Sequence, residues 1–526
     1  MMKFTEKVLE NRFFALYLFL LSFCVYIFFS WGVSIYILDE AKNATCAREM
    51  LENKNLLVPT FNSILRTDKP PLHYFFMMLS YTVFGVNPFA ARFFSAVFGA
   101  LTIVVTYLYT RRFTDEKNGF WTALVLLASI HLSIQFHLAV PDPYLIFFIT
   151  WSLFLFYAVF KAQRLHQLIL MYVSIALGTL AKGPVAILLP GLIFFLFLLF
   201  SGNLKWRIIK SLKPFTGMFI VLALALPWYI LNGEHTDWEW TRGFFLKHNL
   251  HRFSDTMEGH GGSFLVTLLY VFAGLLPFSV FLPQAVIYAF RNKKHDFVCF
   301  NLVAGITIVV FFMVSQTKLP NYTVPAYPFL ASLIAYFIAK QAGTFRQIRI
   351  GYFILLLLSI LIPIGGFFAM NFEPSLAEIK SISIWLSVFP AGIFSAWFFR
   401  KNVARFFLLS GLSGLITALV FFAVVYPEID RQNPVSRSIH LLKNKEVAYF
   451  EKFNPSYAFY LNKEIKKIGE NELDSFFQNN PDGIVISTGK KVRQLMPEPK
   501  YEIIFSAKDV FESPVTVLIA LKQETD

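Results

Sequence analysis

The chain has 526 residues, 56% of them hydrophobic and 63 of them Phe, with a net charge of +14 at neutral pH. Its mean hydropathy is +0.56, and apolar runs of about 18 residues or more recur along it, each long enough to cross a bilayer as a helix. A soluble globular domain is excluded, and so is a nucleic-acid binder: most Lys and Arg stand in short loops between apolar runs, where they report membrane orientation rather than a groove for a polyanion.

Apolar runs read against breakers predict about thirteen spans. They lie at 13–36, 88–110, 118–136, 143–160, 166–181, 184–200, 214–232, 263–290, 297–315, 322–339, 350–369, 380–398 and 403–425. No small-residue cleavage site precedes Asp39, so the first helix is expected to be retained. The basic clusters fall on one side: the N-terminus, Arg111-Arg112-Lys117, Lys161-Arg164, Lys205 to Lys213, Arg291 to Lys294, Lys340 to Arg349 and Arg400 to Arg405. By the positive-inside rule that side is the cytoplasm, and the N-terminus lies there. The opposite face receives the loops 39–87 and 233–262, the short turns at Ala139 to Pro143, Lys182 to Pro184 and Gln316 to Asn321, and the C-terminal segment. Within the first loop, 41–52 reads as a short helix at the membrane surface and 72–84 as an amphipathic or re-entrant helix there. After Tyr426-Pro427 the composition changes. Strands are expected at 446–450, 483–487 and 515–521 and helices at 455–461 and 472–478, a small α/β domain outside the membrane. The expected division is therefore 1–426 and 427–526. Cys24, Cys46 and Cys299 fall in or near different spans, which supports neither a disulfide framework nor a Cys-based metal site.

Charged residues collect on the face opposite the basic loops. Asp39-Glu40 directly follows the first span; a carboxylate pair there either caps the next helix or serves as a general base or metal-linked carboxylate at the mouth of a cavity. In Asp68-Lys69-Pro70-Pro71-Leu72 the prolines fix the backbone as it returns to the membrane, and the segment is either a capped helix start or a holder of phosphate. Asp142, between Pro141 and Pro143, is a cap or a member of the site. Lys182 breaks two spans and either snorkels or reaches an anionic lipid. His248 and Arg252 would share a helix face, and Lys318 and Tyr322 are suited to a phosphate. No His-Glu-x-x-His spacing demands a metal, and no Gly-rich loop would bind a nucleotide.

Taken in order, these motifs resemble the integral membrane GT-C glycosyltransferases, above all the lipid A aminoarabinose transferase family, related to the protein O-mannosyltransferases. The matching segments are Asp39-Glu40, Arg48-Glu49-Met50-Leu51, Asp68 to Leu72, Ala91-Arg92-Phe93-Phe94-Ser95, Asp142, Ala181-Lys182-Gly183-Pro184, His248 to Phe253 and Lys318 to Tyr322. The resemblance implies an α-helical polytopic membrane protein of GT-C type, with about thirteen transmembrane helices, a periplasmic active site and a small C-terminal periplasmic α/β domain. It implies an enzyme of the bacterial inner membrane that takes sugar from a polyprenyl-phosphate donor, without a nucleotide cofactor or nucleic acid, and passes it to a lipid or glycan such as lipid A. The expected catalytic carboxylates are Asp39, Glu40 and Asp142. Donor phosphate and substrate would be held by Lys42, Lys69, Lys182, Arg252, Lys318 and Tyr322. Asp68 and His248 would hold a divalent, zinc-like ion. Two departures stand out: the family's Glu before Lys-Pro-Pro is Asp68 here, and Lys42-Asn43 replaces its Arg-Tyr. A protein acceptor is an alternative. A lipid flippase would account for the spans, but it predicts charges at mid-span rather than at one face.

Overall fold

The computed structural model describes residues 13–251, 261–340, 343–489, 492 and 500–522, without the side chains of 249–251. Among these, nine helices are long and apolar enough to cross a membrane, and two bent helix pairs raise the number to eleven. The expected spans 13–36 and 184–200 are shorter helices, Phe14–Ile27 and Val185–Phe200. At 1.5 Å per residue the 14 residues of the first cover about 21 Å, less than the roughly 30 Å of hydrocarbon. It stops early because the backbone oxygens of Ser30, Val33 and Ser34 accept hydrogen bonds from Arg92 instead of continuing a helix.

The expected span 118–136 is bent by 68° between Glu116–Leu127 and Ile130–Phe136. Ser129 sits at the break; its hydroxyl accepts from the Leu132 amide and donates to the Gly274 oxygen. The expected span 263–290 is bent by 115° around Pro277, which has no amide to offer a helix. Buried apolar side chains run through the bundle as one large core.

The first loop is largely folded. Helix Leu38–Glu52 carries Asp39 and Glu40 in its first turn, where carboxylates favour the helix N-terminus. A hairpin follows, with β1 Thr60–Phe61 antiparallel to β2 Ile64–Leu65. Its two-residue turn, Asn62-Ser63, has both φ positive (+54° and +62°), the geometry that matches strand twist. Glu49 holds the turn, accepting from the Thr60 hydroxyl at 2.6 Å and the Asn62 amide at 2.7 Å. Helix Leu72–Phe84 then leads to the long helix Pro88–Phe113.

The C-terminal segment contributes strands β3 Val447–Tyr449, β4 Lys466–Lys467, β5 Ile484–Thr488, β6 Tyr501–Lys508 and β7 Val515–Leu521. They form a five-stranded sheet in the order β4-β3-β5-β7-β6. Strand β6 was not among the expected strands, since the bulge between Ile503 and Phe505 interrupts its alternation. The sheet domain is clasped to the first loop. Asn62 exchanges two hydrogen bonds with the Ile465 backbone, both 2.8 Å, and Arg48 donates to the Ala458 oxygen at 2.8 Å. A second tie runs from Lys508 to both oxygens of Glu373, at 2.5 and 2.6 Å. Burial alone would raise the Glu373 pKa, but the bonds from Lys508 and Ser375 outweigh it and hold it below its ordinary 4.5. A depressed carboxyl stabilises above its unfolded pKa. This tie is therefore expected to be intact at neutral pH and lost as pH falls through the depressed value, whereas in Glu373→Gln that part of the acid response disappears. Thermal unfolding from pH 7 to pH 3 tests this, and equal acid sensitivity of the two proteins would refute it.

Candidate active site

Successive residues on a helix point about 100° apart, so Asp39 and Glu40 face different surroundings. Glu40 is fully buried. Its oxygens accept from Arg92 Nε and Nη2, both at 2.8 Å, and from the Ala139 amide at 2.8 Å. A carboxylate so enclosed holds structure together; Glu40, expected among the catalytic acids, stands here as an anchor. Asp39 is 53% exposed, 3.5 Å from Lys69 Nζ and 3.8 Å from Arg66 Nη2. It is the accessible acid of the pair, facing two nearly buried cations.

The hairpin turns the chain so that Arg66 to Lys69 lie against Asp39. Asp68 lies 3.0 Å from His248 Nε2 and accepts from Arg66 Nε at 3.3 Å. Burial would raise its pKa, but Arg66, His248, Lys69 and Lys42 together hold it below the ordinary carboxylate range. The two residues expected to share a metal thus touch each other. Oxygen and imidazole nitrogen are donors that zinc accepts. Among the described residues, however, no group of three or more such side chains gathers, so the pair fits an ion in kind and leaves other positions to a ligand or water.

A second group surrounds Asp142, at the start of helix Asp142–Ala162. Its Oδ1 accepts from Lys182 Nζ at 2.5 Å and Asn321 Nδ2 at 2.8 Å. Lys182 ends helix Leu165–Lys182, so acid and base each occupy the helix end whose dipole favours them. Lys182 also lies over the Tyr322 ring, 5.5 Å from its centre. The two groups are joined through the turn before Asp142, because Glu40 binds the Ala139 amide and Asn43 donates to the Ala139 oxygen. Removing only Lys182 would leave a buried carboxylate without its cation. Lys182→Met is expected to lower the thermal midpoint clearly, and Asp142→Asn/Lys182→Met to recover most of that loss. Additive losses in the double variant would sink this reading of the pair.

Lys318, expected among the phosphate-binding cations, lies at the end of helix Asp296–Val314. Its ammonium donates to the Met313 oxygen at 2.8 Å and to the Ser315 oxygen. It is 7% exposed and satisfies helix-terminal carbonyls, so holding a phosphate would require it to leave them. Arg252 lies outside the described residues. Two contributors escaped the sequence reading. Arg66 is signalled only by standing two residues before Asp68, and Asn321 by its place in Lys318-Leu319-Pro320-Asn321-Tyr322.

Arg92 also lines a cavity of about 190 Å³, together with Ser30, Val33, Ile37, His137 and Phe422.

Residues 68–231 match the model of the dolichyl-phosphate-mannose-protein mannosyltransferase family. An uncharacterized protein of Aquifex aeolicus is 27% identical over 484 residues, 89% of this chain and 87% of that protein. An undecaprenyl phosphate-alpha-4-amino-4-deoxy-L-arabinose arabinosyl transferase of Pseudomonas fluorescens is 28% identical over 313 residues, 58% of this chain and 56% of that enzyme. The match thus spans little more than half of that enzyme's length. Among solved structures, ArnT from Cupriavidus metallidurans bound to undecaprenyl phosphate superimposes with a TM-score of 0.79 at 20% identity, covering 97% of this chain and 98% of ArnT. The chain therefore has the fold of the GT-C membrane glycosyltransferases and resembles the aminoarabinose transferases.

Proposed function

We propose that this protein transfers a sugar from a polyprenyl-phosphate donor, of undecaprenyl-phosphate type, to an acceptor at the periplasmic face of the bacterial inner membrane. The observation that carries the reading is the half-exposed Asp39 facing Lys69 and Arg66 where the chain leaves the first span. Lys69, Lys182 and Tyr322, with Arg252, stabilise the phosphate as its bond to the anomeric carbon breaks and negative charge develops. Asp39 orients the acceptor or takes its proton as the acceptor attacks from the opposite face, so the configuration inverts. The largely apolar cavity beside Arg92 favours a lipid acceptor such as lipid A. The mannosyltransferase match favours a second reading with a protein acceptor.

Asp68 and His248 would hold a divalent ion. Such an ion, when bound, neutralises phosphate charge. Chelation is expected to slow turnover, with zinc restoring it in the wild type but not in Asp68→Ala; full turnover after exhaustive chelation would remove the ion from the reaction. The test of the whole reading is donor consumption by the purified protein, with the product's mass identifying sugar and acceptor. A folded wild type that consumes no donor across a broad panel of donors and acceptors would reject it, and lipid movement in acceptor-free vesicles would point to a flippase instead.

A further inference from the structure

We propose that Arg66 is the positioning residue for Asp39, held rigid by the hairpin and the C-terminal domain so that Asp39 can close onto it when donor binds. The proposal rests on the glycosyltransferase reading and adds to it how the reacting carboxylate is aimed. The Arg66 side chain is 4% exposed. Its Nε is committed to Asp68, but Nη1 and Nη2 are buried without a hydrogen-bond partner. Buried donors left unmade are costly and rare, and they call for an acceptor. Asp39 Oδ1 lies 3.8 Å from Nη2, outside bonding range. A closure of about 1 Å would make a charge-assisted bond, a tightening usual between the free and substrate-bound states of an active site.

Which partner moves is set by the mounting. The Arg66 amide donates to the Pro59 oxygen at 2.9 Å, and its own oxygen accepts from the Trp240 indole at 2.9 Å. One residue behind it the hairpin is held from two sides, by Glu49 and by the paired bonds between Asn62 and Ile465. Asp39 is half exposed in the first turn of its helix. Lys69 Nζ, at 3.5 Å, lies nearer to it than Arg66 Nη2 does. Once Lys69 turns to the donor phosphate, its hold on Asp39 weakens and the bond to Arg66 can form. The C-terminal domain thereby acts on the reaction without touching substrate, through Asn62.

The test is steady-state transfer from a polyprenyl-phosphate sugar by the full-length protein carrying Arg66→Lys, Arg66→Ala or Asn62→Ala, with thermal midpoints measured alongside. Misplacing a reacting group by about 1 Å costs on the order of 10²-fold in rate. Arg66→Lys keeps the charge but not the fork, and is expected to lose about that much in kcat with donor KM unchanged. Added guanidinium should restore turnover to Arg66→Ala but not to Lys69→Ala. Asn62→Ala should lower kcat less, and its effect should shrink in the Arg66→Lys background. If Arg66→Ala does not fold, Arg66→Lys carries the test alone. Wild-type kcat in a folded Arg66→Lys, or a loss confined to donor KM, overturns the proposal while leaving the enzyme reading standing. Absence of turnover by the wild type rejects both.

Discussion

Asp39→Asn is expected to lower the rate of sugar transfer to a hydroxyl acceptor about 10²–10⁴-fold, the usual contribution of a positioned acid or base. The substitution keeps shape and removes charge at a half-exposed position beside Lys69 and Arg66, so the fold should persist and the thermal midpoint should change little. A phosphate acceptor is already ionised and needs no base. With such an acceptor Asp39 mainly positions, and the loss should be smaller. Transfer rates of wild type and Asp39→Asn on both acceptor types decide the matter: equal losses would count against a base role, and undiminished transfer on both would remove Asp39 from the mechanism. Glu40→Gln provides the contrast. It is expected to lower stability, while the fraction that folds still turns over, since Glu40 is enclosed by Arg92 and Ala139.

Arg92→Ala is expected to cost about 3–5 kcal/mol of stability, the range for breaking a buried ion pair from one side. Its guanidinium makes two bonds to Glu40 and one each to the oxygens of Ser30, Val33 and Ser34. Without it Glu40 is a buried charge facing only the Ala139 amide, and three carbonyls of the segment after the first helix lose their donor. Arg92→Lys should recover only part of the loss, because an ammonium cannot present the planar fork. The readout is the unfolding midpoint of detergent-purified protein. A midpoint within a degree or two of the wild type would show that water replaces the guanidinium and that the segment is held by other contacts.

The consequences for function meet at helix Leu38–Glu52. Asp39 on it faces Lys69 and Arg66, and Glu40 staples it to Arg92. The C-terminal domain grips this assembly through Arg48, Asn62 and the segment around Ile465.

The membrane character, the location of the spans and the set of candidate charges are legible in the chain, because hydropathy over about 18 residues and the order of motifs are local properties. So are the helices 41–52 and 72–84 and most of the C-terminal strands. The sequence does not show that 28–37 leaves the helix, since that depends on Arg92, about sixty residues away, taking the carbonyls. Nor does it separate Asp39 from Glu40: both are acids in one helical turn, and only the packing of Pro88–Phe113 and the Ala139 turn buries one and leaves the other open. Nothing local announces that the Lys318 ammonium folds back onto the carbonyls of the preceding helix. Apart from its place two residues before Asp68, nothing in the sequence singles out Arg66, because its mounting comes from the hairpin beneath it and from a domain four hundred residues later that clasps the hairpin's turn. Local composition decided which residues are charged and where the chain meets the membrane. Tertiary packing decided which charges are neutralised by a buried partner and which remain open to react, since desolvation depends on neighbours distant in the chain.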